Sequence, residues 1–326
     1  MSILFTIPAN LRGADILETT AAFWQAQGDS VTFDFSQVSF AFPFPALLLA
    51  AELRSVIQSH PDRVHQVVGV DLGRPAHSYL AHIGFFQHIG HPVGNAPGQA
   101  VGGRAYLPIT ELTRVQLAAR LREADQPLGC AIQKEAEHLA QVVTQSRELK
   151  VYRPVAYCIR EVIRNVFEHA SVDRCVFSGQ SYKNEVELAL VDRGRGIMAS
   201  LRERFPVSSD EEALSMAVLP GVSRMAPSND DNEWANSGFG LYVLSELARR
   251  AGSFSLCSGE VELKVGKDRE NEFRRRTFHG TAVRVRIAKP KGVNFEQLIH
   301  EIIARGEELT GGSAMPAKAS RSSKTV

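Results

Sequence analysis

From its first residues the chain alternates short β-type runs with helical patterns, and this alternation restricts the fold more than any other feature. Ile3 to Ile7 reads as a strand, Ala14 to Gln27 as a helix, Val31 to Phe35 as a strand, and Pro45 to Gln58 as a helix. Val67 to Val70 and the pattern from Ala76 to Phe86 repeat the order. Strands separated by helices point to an α/β unit whose sheet is at least partly parallel. Pro45 suits the first turn of its helix, where a backbone N–H would have no intrahelical partner.

At 326 residues the chain exceeds one comfortable hydrophobic core, so two domains are expected. The stretch Gly90 to Gly103 is dense in Gly and Pro without apolar periodicity and marks the junction. The expected division is a domain over 1–95, a linker with connecting helices over 96–150, a second domain over 151–290, a helix over 291–310 and a disordered tail over 311–326. Within the linker, Tyr106 to Ile109 reads as a short strand, and Glu111 to Ala124 and Cys130 to Ser146 as helices. Lys plus Arg number 37 against 36 Asp plus Glu, so whole-chain charge favours neither nucleic acid nor membrane as partner. The most apolar run, Phe40 to Ala51, contains Pro43 and Pro45 and stops at Glu52, short of the roughly 20 residues that cross a bilayer. Four widely spaced cysteines and the lack of a signal-like start lead us to expect a soluble cytoplasmic protein with reduced thiols.

Four features in the second half carry chemistry. Arg153 to His169 reads as a helix with Pro154 in its first turn and an apolar stripe of Val155, Ile159, Val162 and Val166. Beside the stripe, Glu161, Asn165 and His169 follow at four-residue steps and stack along one face. An amide oxygen suits a hard cation, and a carboxylate one turn away can orient a water or take its proton. A solvated polar stripe has the same spacing. Next, the alternating strand Glu185 to Val191 runs into Asp192-Arg-Gly-Arg-Gly196-Ile197, where an Asp can accept from an exocyclic amine and glycines let backbone approach a flat ring. An ordinary Gly-containing turn reads likewise. The third feature, Asn236-Ser-Gly-Phe-Gly-Leu241, opens a helical pattern whose N–H groups would face an anion, with Gly238 and Gly240 allowing phosphate oxygens close. The polar stretch Ser228 to Ala235 before it suits a mobile lid. The last is Gly280-Thr281 ahead of the strand Ala282 to Ile287, which could bring the Thr281 hydroxyl near Asp192.

In this order, the four elements resemble the GHKL ATPase superfamily, which includes histidine kinases, anti-sigma-factor kinases, type II topoisomerases and mismatch-repair ATPases. The resemblance spans about Val151 to Ile287, and the run Gly221-Val-Ser-Arg is similar to the segment ahead of the lid in the signalling branch. It implies ATP and magnesium as cofactors. Asn165 would hold magnesium, Asp192 would recognise adenine, and Glu161 would polarise the attacking water or hydroxyl. Gly194, Gly196 and Ile197 would border the base, Gly238 and Gly240 would contact phosphates with Phe239 and Leu241 beside them, and His169 and Thr281 would complete the site. The N-terminal half resembles STAS-like interaction domains through Val31-Thr-Phe-Asp-Phe-Ser-Gln-Val-Ser-Phe40 and the helix that follows, although Phe42-Pro-Phe-Pro45 stands where such antagonists offer a phosphorylatable Ser. The fold implied is α/β in two domains, an N-terminal STAS-like α/β domain and a C-terminal GHKL (Bergerat-type) α/β sandwich, with a mixed sheet covered on one face by helices.

The function expected is that of a signalling protein with slow ATP hydrolysis, in which ATP state, through a lid from about Leu201 to Ser237, controls binding to a protein partner at the STAS-like domain. The alternative is a serine/threonine kinase of the anti-sigma-factor type, and a homodimer is compatible with both. A DNA-repair clamp would need a transducer domain after Ile287, where some 40 residues remain. No P-loop signature occurs. His138 lacks the surroundings of a phosphoacceptor, and His77, His82, His88 and His91 lack zinc-site spacing. Arg274, Arg275 and Arg276 read as a solvated hairpin face.

Overall fold

A computed structural model describes residues 2–99, 106–119, 121, 127–169, 172–223, 238–289 and 294–311, the side chains of 150, 168 and 169 excepted. The protein is mixed α/β with several sheets. The first part contains β1 (Ser2–Thr6), β2 (Asn10–Leu11), α1 (Ile16–Gln25), β3 (Ser30–Asp34), β4 (Phe40–Ala41), α2 (Pro43–Ser59), β5 (Val64–Val68), α3 (Pro75–His82) and α4 (Phe85–His88). Strands β1, β3 and β5 pair in parallel in that order, while β2 and β4 form a two-residue parallel pair. The order β1-β3-β5 carries both crossovers in one direction, which places the connecting helices on the same side, and α1 packs against α2 there.

The second part contains β6 (Tyr106–Thr113), α5 (Arg114–Ala119), α6 (Leu128–Thr144), α7 (Leu149–His169), β7 (Arg174–Ser181), β8 (Glu185–Asp192), α8 (Gly196–Leu201), α9 (Asp210–Ala217), α10 (Gly240–Ala251), β9 (Gly252–Gly266), β10 (Glu272–Ala288) and α11 (Phe295–Gly311). Its five strands run β6-β7-β8-β10-β9, antiparallel at every pairing, where a mixed sheet was expected. Helices cover both faces, not one. In β8, Val186, Leu188 and Leu190 face the core built with α7 and α10, whereas Ala189 and Val191 belong to the core of the N-terminal half. A strand apolar on both faces is buried on both, and the run Val186 to Val191 has that composition.

The layer on the second face is α2, where every residue from Pro43 to Leu53 is buried. A helix apolar all round must be enclosed, and α2 lies between the parallel sheet of its own half and strands β7 and β8 of the other. Its first turn has no side-chain cap of its own; the carboxylate of Glu187 on β8, fully buried, accepts from the Phe44 N–H at 3.2 Å. Glu187 is neutralised by Arg284 at 3.1 Å and Arg286 at 2.6 Å, both on the neighbouring strand β10.

Three expected elements differ. The segment expected as a helix over 111–124 begins as strand, because β6 continues to Thr113 in register with β7. The helix starts only at Arg114, where Thr113 and Gln116 form a reciprocal cap, Gln116 N to Thr113 Oγ1 at 3.1 Å and Thr113 N to Gln116 Oε1 at 2.9 Å. Strand β6 and helices α5 and α6 thus join the layers of the five-stranded sheet, in place of a linker over that stretch. Pro154 lies inside α7, which starts earlier at Leu149 because buried Tyr152 and Val155 draw the preceding turn into the core. Of the lid expected over 201–237, residues 210–217 form α9, capped by Ser209 and packed on β9, while Ser228 to Ala235 lies outside the described residues, as does 312–326 of the tail. The hairpin arginines also depart from a purely solvated face: Arg276 pairs with Asp15 and Glu18 of the α1 region at 2.7 and 2.6 Å. Among the described residues, no helix is long and apolar enough to cross a membrane.

Candidate functional site

A slot opens between α7, the ends of β8, β9 and β10, helix α8 and the start of α10. Its enclosed part measures about 70 Å³, and a smaller apolar void of about 30 Å³ shares Val162, Leu190 and Val283 with it. The side walls are apolar, formed by Val162, Val166, Ile197, Leu201, Leu241 and Leu256. Polar groups stand at both ends, the arrangement that orients a small ligand in an otherwise greasy pocket.

Strand alternation places the inner end. Residues 186, 188 and 190 of β8 face α7, and Asp192 continues that side into the slot. On β10, Thr281 stands directly opposite Asp192 and also lines the slot. The Asp192 carboxylate accepts from the Gly194 N–H at 2.8 Å and from both the backbone and hydroxyl of Thr281. Burial pushes its pKa up to about 6, against the opposing pull of those bonds and of Arg193. Buried Ser258 on β9 links this end together: its hydroxyl donates to the Gly280 carbonyl and accepts from the Ile197 N–H, both at 2.9 Å.

The outer end is made by Asn165 and the glycines. Asn165 lines the slot from α7, and its Nδ2 is buried without a hydrogen-bond partner among the described residues. Rotating the amide by half a turn presents its oxygen to the same space, so the group can meet either a donor or a cation. Helix α10 starts at Gly240, and among the described residues no side chain caps it, so its first turn presents the N–H groups that favour an anion. Gly238 has φ +70°, and a Cβ there would stand 2.7 Å from the backbone of Gly221 and Val222. At Gly240 a Cβ would stand 2.6 Å from Glu161 Oε2. Gly238 therefore excludes any side chain, whereas a side chain at Gly240 would have to displace the Glu161 carboxylate.

Of the residues singled out in the sequence, Asn165, Asp192, Gly196, Ile197, Gly238, Gly240, Leu241 and Thr281 line one slot. Three others do not. Gly194 lies behind Asp192 and serves it through its N–H; Phe239 is fully buried, its ring 6.1 Å from that of Tyr242. Glu161 is 5% exposed and sits beneath Gly240, its Oε1 held by Arg160 at 2.9 Å and by Arg164 at 3.7 Å. Arg160 is itself fixed by Gln133 at 3.0 Å and by the face of Tyr157. The helical spacing that stacks Glu161 under Asn165 is present, but the inward-turned arginines of the same helix claim the carboxylate. The side chain of His169 lies outside the described residues.

Sequence reasoning missed Ser200 and Ser258, which sit on runs with no motif of their own, and singled out the run that holds Ser223 without assigning that side chain to the site. It also missed Arg193. One step beyond Asp192, alternation turns Arg193 to the opposite face, towards α2, where its Nη1 stands 2.9 Å from Oε1 of buried Glu52 and donates to the His279 carbonyl at 3.1 Å. The second Glu52 oxygen accepts from the Trp24 indole at 2.7 Å. Among the described residues no cluster of His, Cys, Asp and Glu has metal-binding form; His77 Nδ1 accepts from the Asp71 N–H, and His88 stands against Arg54.

No protein-family model matches this chain, and no curated protein matches it.

Proposed function

We propose that the slot binds the adenine ring of ATP at Asp192 and Thr281, with magnesium and phosphates at Asn165 and the start of α10, as in the GHKL superfamily. The observation that carries this reading is that a buried carboxylate, Asp192, and the Asn165 amide, whose buried nitrogen has no partner among the described residues, line one apolar slot. Asp192 is placed to accept from an exocyclic amine, and apolar walls suit a flat ring. The start of α10, uncapped among the described residues and preceded by Gly238, which admits no side chain, suits phosphate oxygens. Magnesium, when bound, would neutralise phosphate charge. It needs few protein ligands because water and phosphate fill its shell, so Asn165 suffices without an acidic cluster.

Nucleotide sensing is favoured over phosphoryl transfer by the surroundings of Glu161. A general base must reach the proton it removes, and Glu161 is held by Arg160 and Arg164 under Gly240. The protein is thus read as a regulator whose nucleotide state alters contacts with a partner protein through the STAS-like N-terminal half. Calorimetry with Mg-ATP tests the binding: saturable heat that disappears in Asn165→Ala and Asp192→Ala supports it, and no heat from well-folded protein ends it. Following the labelled γ-phosphate then separates roles. Label that stays on ATP supports a sensor, and Asn165-dependent transfer to a partner or to water makes the protein an enzyme.

A further inference from the structure

A second cavity lies on the far side of α10. This cleft of about 590 Å³ is bounded by α10, α11, the segment 218–220 and the turn between β9 and β10. Its floor is the polar face of α10, where Tyr242, Ser245, Glu246, Arg249 and Arg250 recur at helical spacing. Arg269 from the turn and Arg305 from α11 complete a group of four arginines against two carboxylates, Glu246 and Asp268.

The arginines are not equally engaged. Arg249 is committed locally, to Glu246 at 3.0 Å and the Arg269 carbonyl at 3.1 Å. Arg250, Arg269 and Arg305 have no ion pair among the described residues, and Nη1 of Arg250 is buried without a hydrogen-bond partner. Arg250 and Arg305 both stand close enough to act on the Tyr242 phenol. Among the described residues the charge of these three arginines is left without a carboxylate partner at the cleft, and an incoming carboxylate would supply one. At the rim, Leu219 and Leu309 are 51% and 61% exposed.

We propose that this cleft is the docking site for an acidic segment of a partner protein, its carboxylates on Arg250, Arg269 and Arg305 and an apolar side chain between Leu219 and Leu309. Charge complementarity selects the occupant. A lone small anion would leave both leucines in water and most of the volume unfilled. A nucleic acid would place phosphates against Glu246 and Asp268 with no exposed aromatic platform for its bases. The cleft also backs onto the slot: Ala217 and Val222 face the slot, while Val218, Leu219 and Pro220 between them face the cleft. Docking itself requires no nucleotide, so it stands or falls apart from the reading of the slot.

The test is fluorescence anisotropy with a short labelled peptide of alternating glutamate and leucine, beside a lysine–leucine peptide and a thymidine oligonucleotide of equal length. The glutamate peptide is expected to bind saturably, more weakly as salt rises, and about tenfold or more weakly to Arg250→Glu. Arg305→Glu, at an exposed position that puts folding at little risk, is expected to weaken it in the same direction. Absence of saturable binding, equal binding by both variants, or tighter binding of the oligonucleotide with the same arginine dependence would overturn the proposal.

Discussion

Asp192 is the residue on which the proposed ligand recognition and a stability cost converge. Its folded pKa of about 6 lies above the ordinary carboxylate value, so its contribution favours the fold at low pH and is lost as pH rises through 6. At neutral pH the ionised group costs on the order of 3 kcal/mol, about two pKa units at about 1.4 kcal/mol each. Asp192→Asn is therefore expected to stabilise the free protein by about 1 to 3 kcal/mol at pH 7 to 8, a gain that fades towards pH 4. Urea midpoints across that range check it; a variant less stable at every pH contradicts the burial argument. The same ionisation predicts how adenosine, which does not titrate in this window, should bind. Affinity is expected to fall about tenfold per pH unit below 6, because the protonated carboxyl no longer offers both oxygens to the amine. Calorimetry at several pH values reads the slope. Asp192 and Thr281 were legible because strand alternation continues past the last apolar residue. Glu161 was not, since spacing gives a direction along a helix but not which neighbour, here Arg160 and Arg164, reaches the carboxylate first.

Elements, rather than residues, decide how the two halves meet. Helix α2 begins on two prolines and an apolar residue with no cap, and it takes its cap from Glu187, 143 residues away. Removing that carboxylate would leave Arg284 and Arg286 facing each other beside an uncapped helix. Glu187→Ala is accordingly expected to cost about 3 kcal/mol or more, with Glu187→Gln, which keeps an acceptor for Phe44 N, costing less. Guanidinium denaturation of both variants measures the order. The apolar runs of α2 and β8 were visible as compositions, and their two-sided burial could have been read from them. Their partnership could not, because nothing local to either run names the other. At β6 the opposite holds: the Thr113 and Gln116 pair is a local signal for where a helix begins, and the apolar periodicity that follows conceals it.

In the whole molecule, the N-terminal half reaches the Asp192 end of the slot through one chain of side chains: Trp24 to Glu52, Glu52 to Arg193, and Arg193 both to the His279 carbonyl and, along the backbone, to Asp192 at the end of β8. Trp24 also lies 5.8 Å from His279, next to Gly280 and Thr281. A ligand that tightens Asp192 and Thr281 should be felt at the indole. With Trp234→Phe leaving Trp24 as the sole tryptophan, ATP is expected to shift its emission, and Glu52→Gln to abolish the shift. Unchanged emission with ATP demonstrably bound would mean that the halves share a core without sharing a signal. Domain boundaries were the least legible feature at this scale, because a glycine- and proline-rich stretch looks the same whether the units it joins are separate or pressed together.

The enclosure of α2 also has a consequence in time. A ribosome adding roughly 5 to 20 residues per second releases α2 long before the strand that covers its second face. The 143 residues from Phe44 to Glu187 take roughly 7 to 30 seconds to make at that rate, and until then the helix presents an apolar side with nothing to lie against. In that interval the newborn chain carries an apolar helix face open to other apolar surfaces, and β8 closes it only once that strand has emerged.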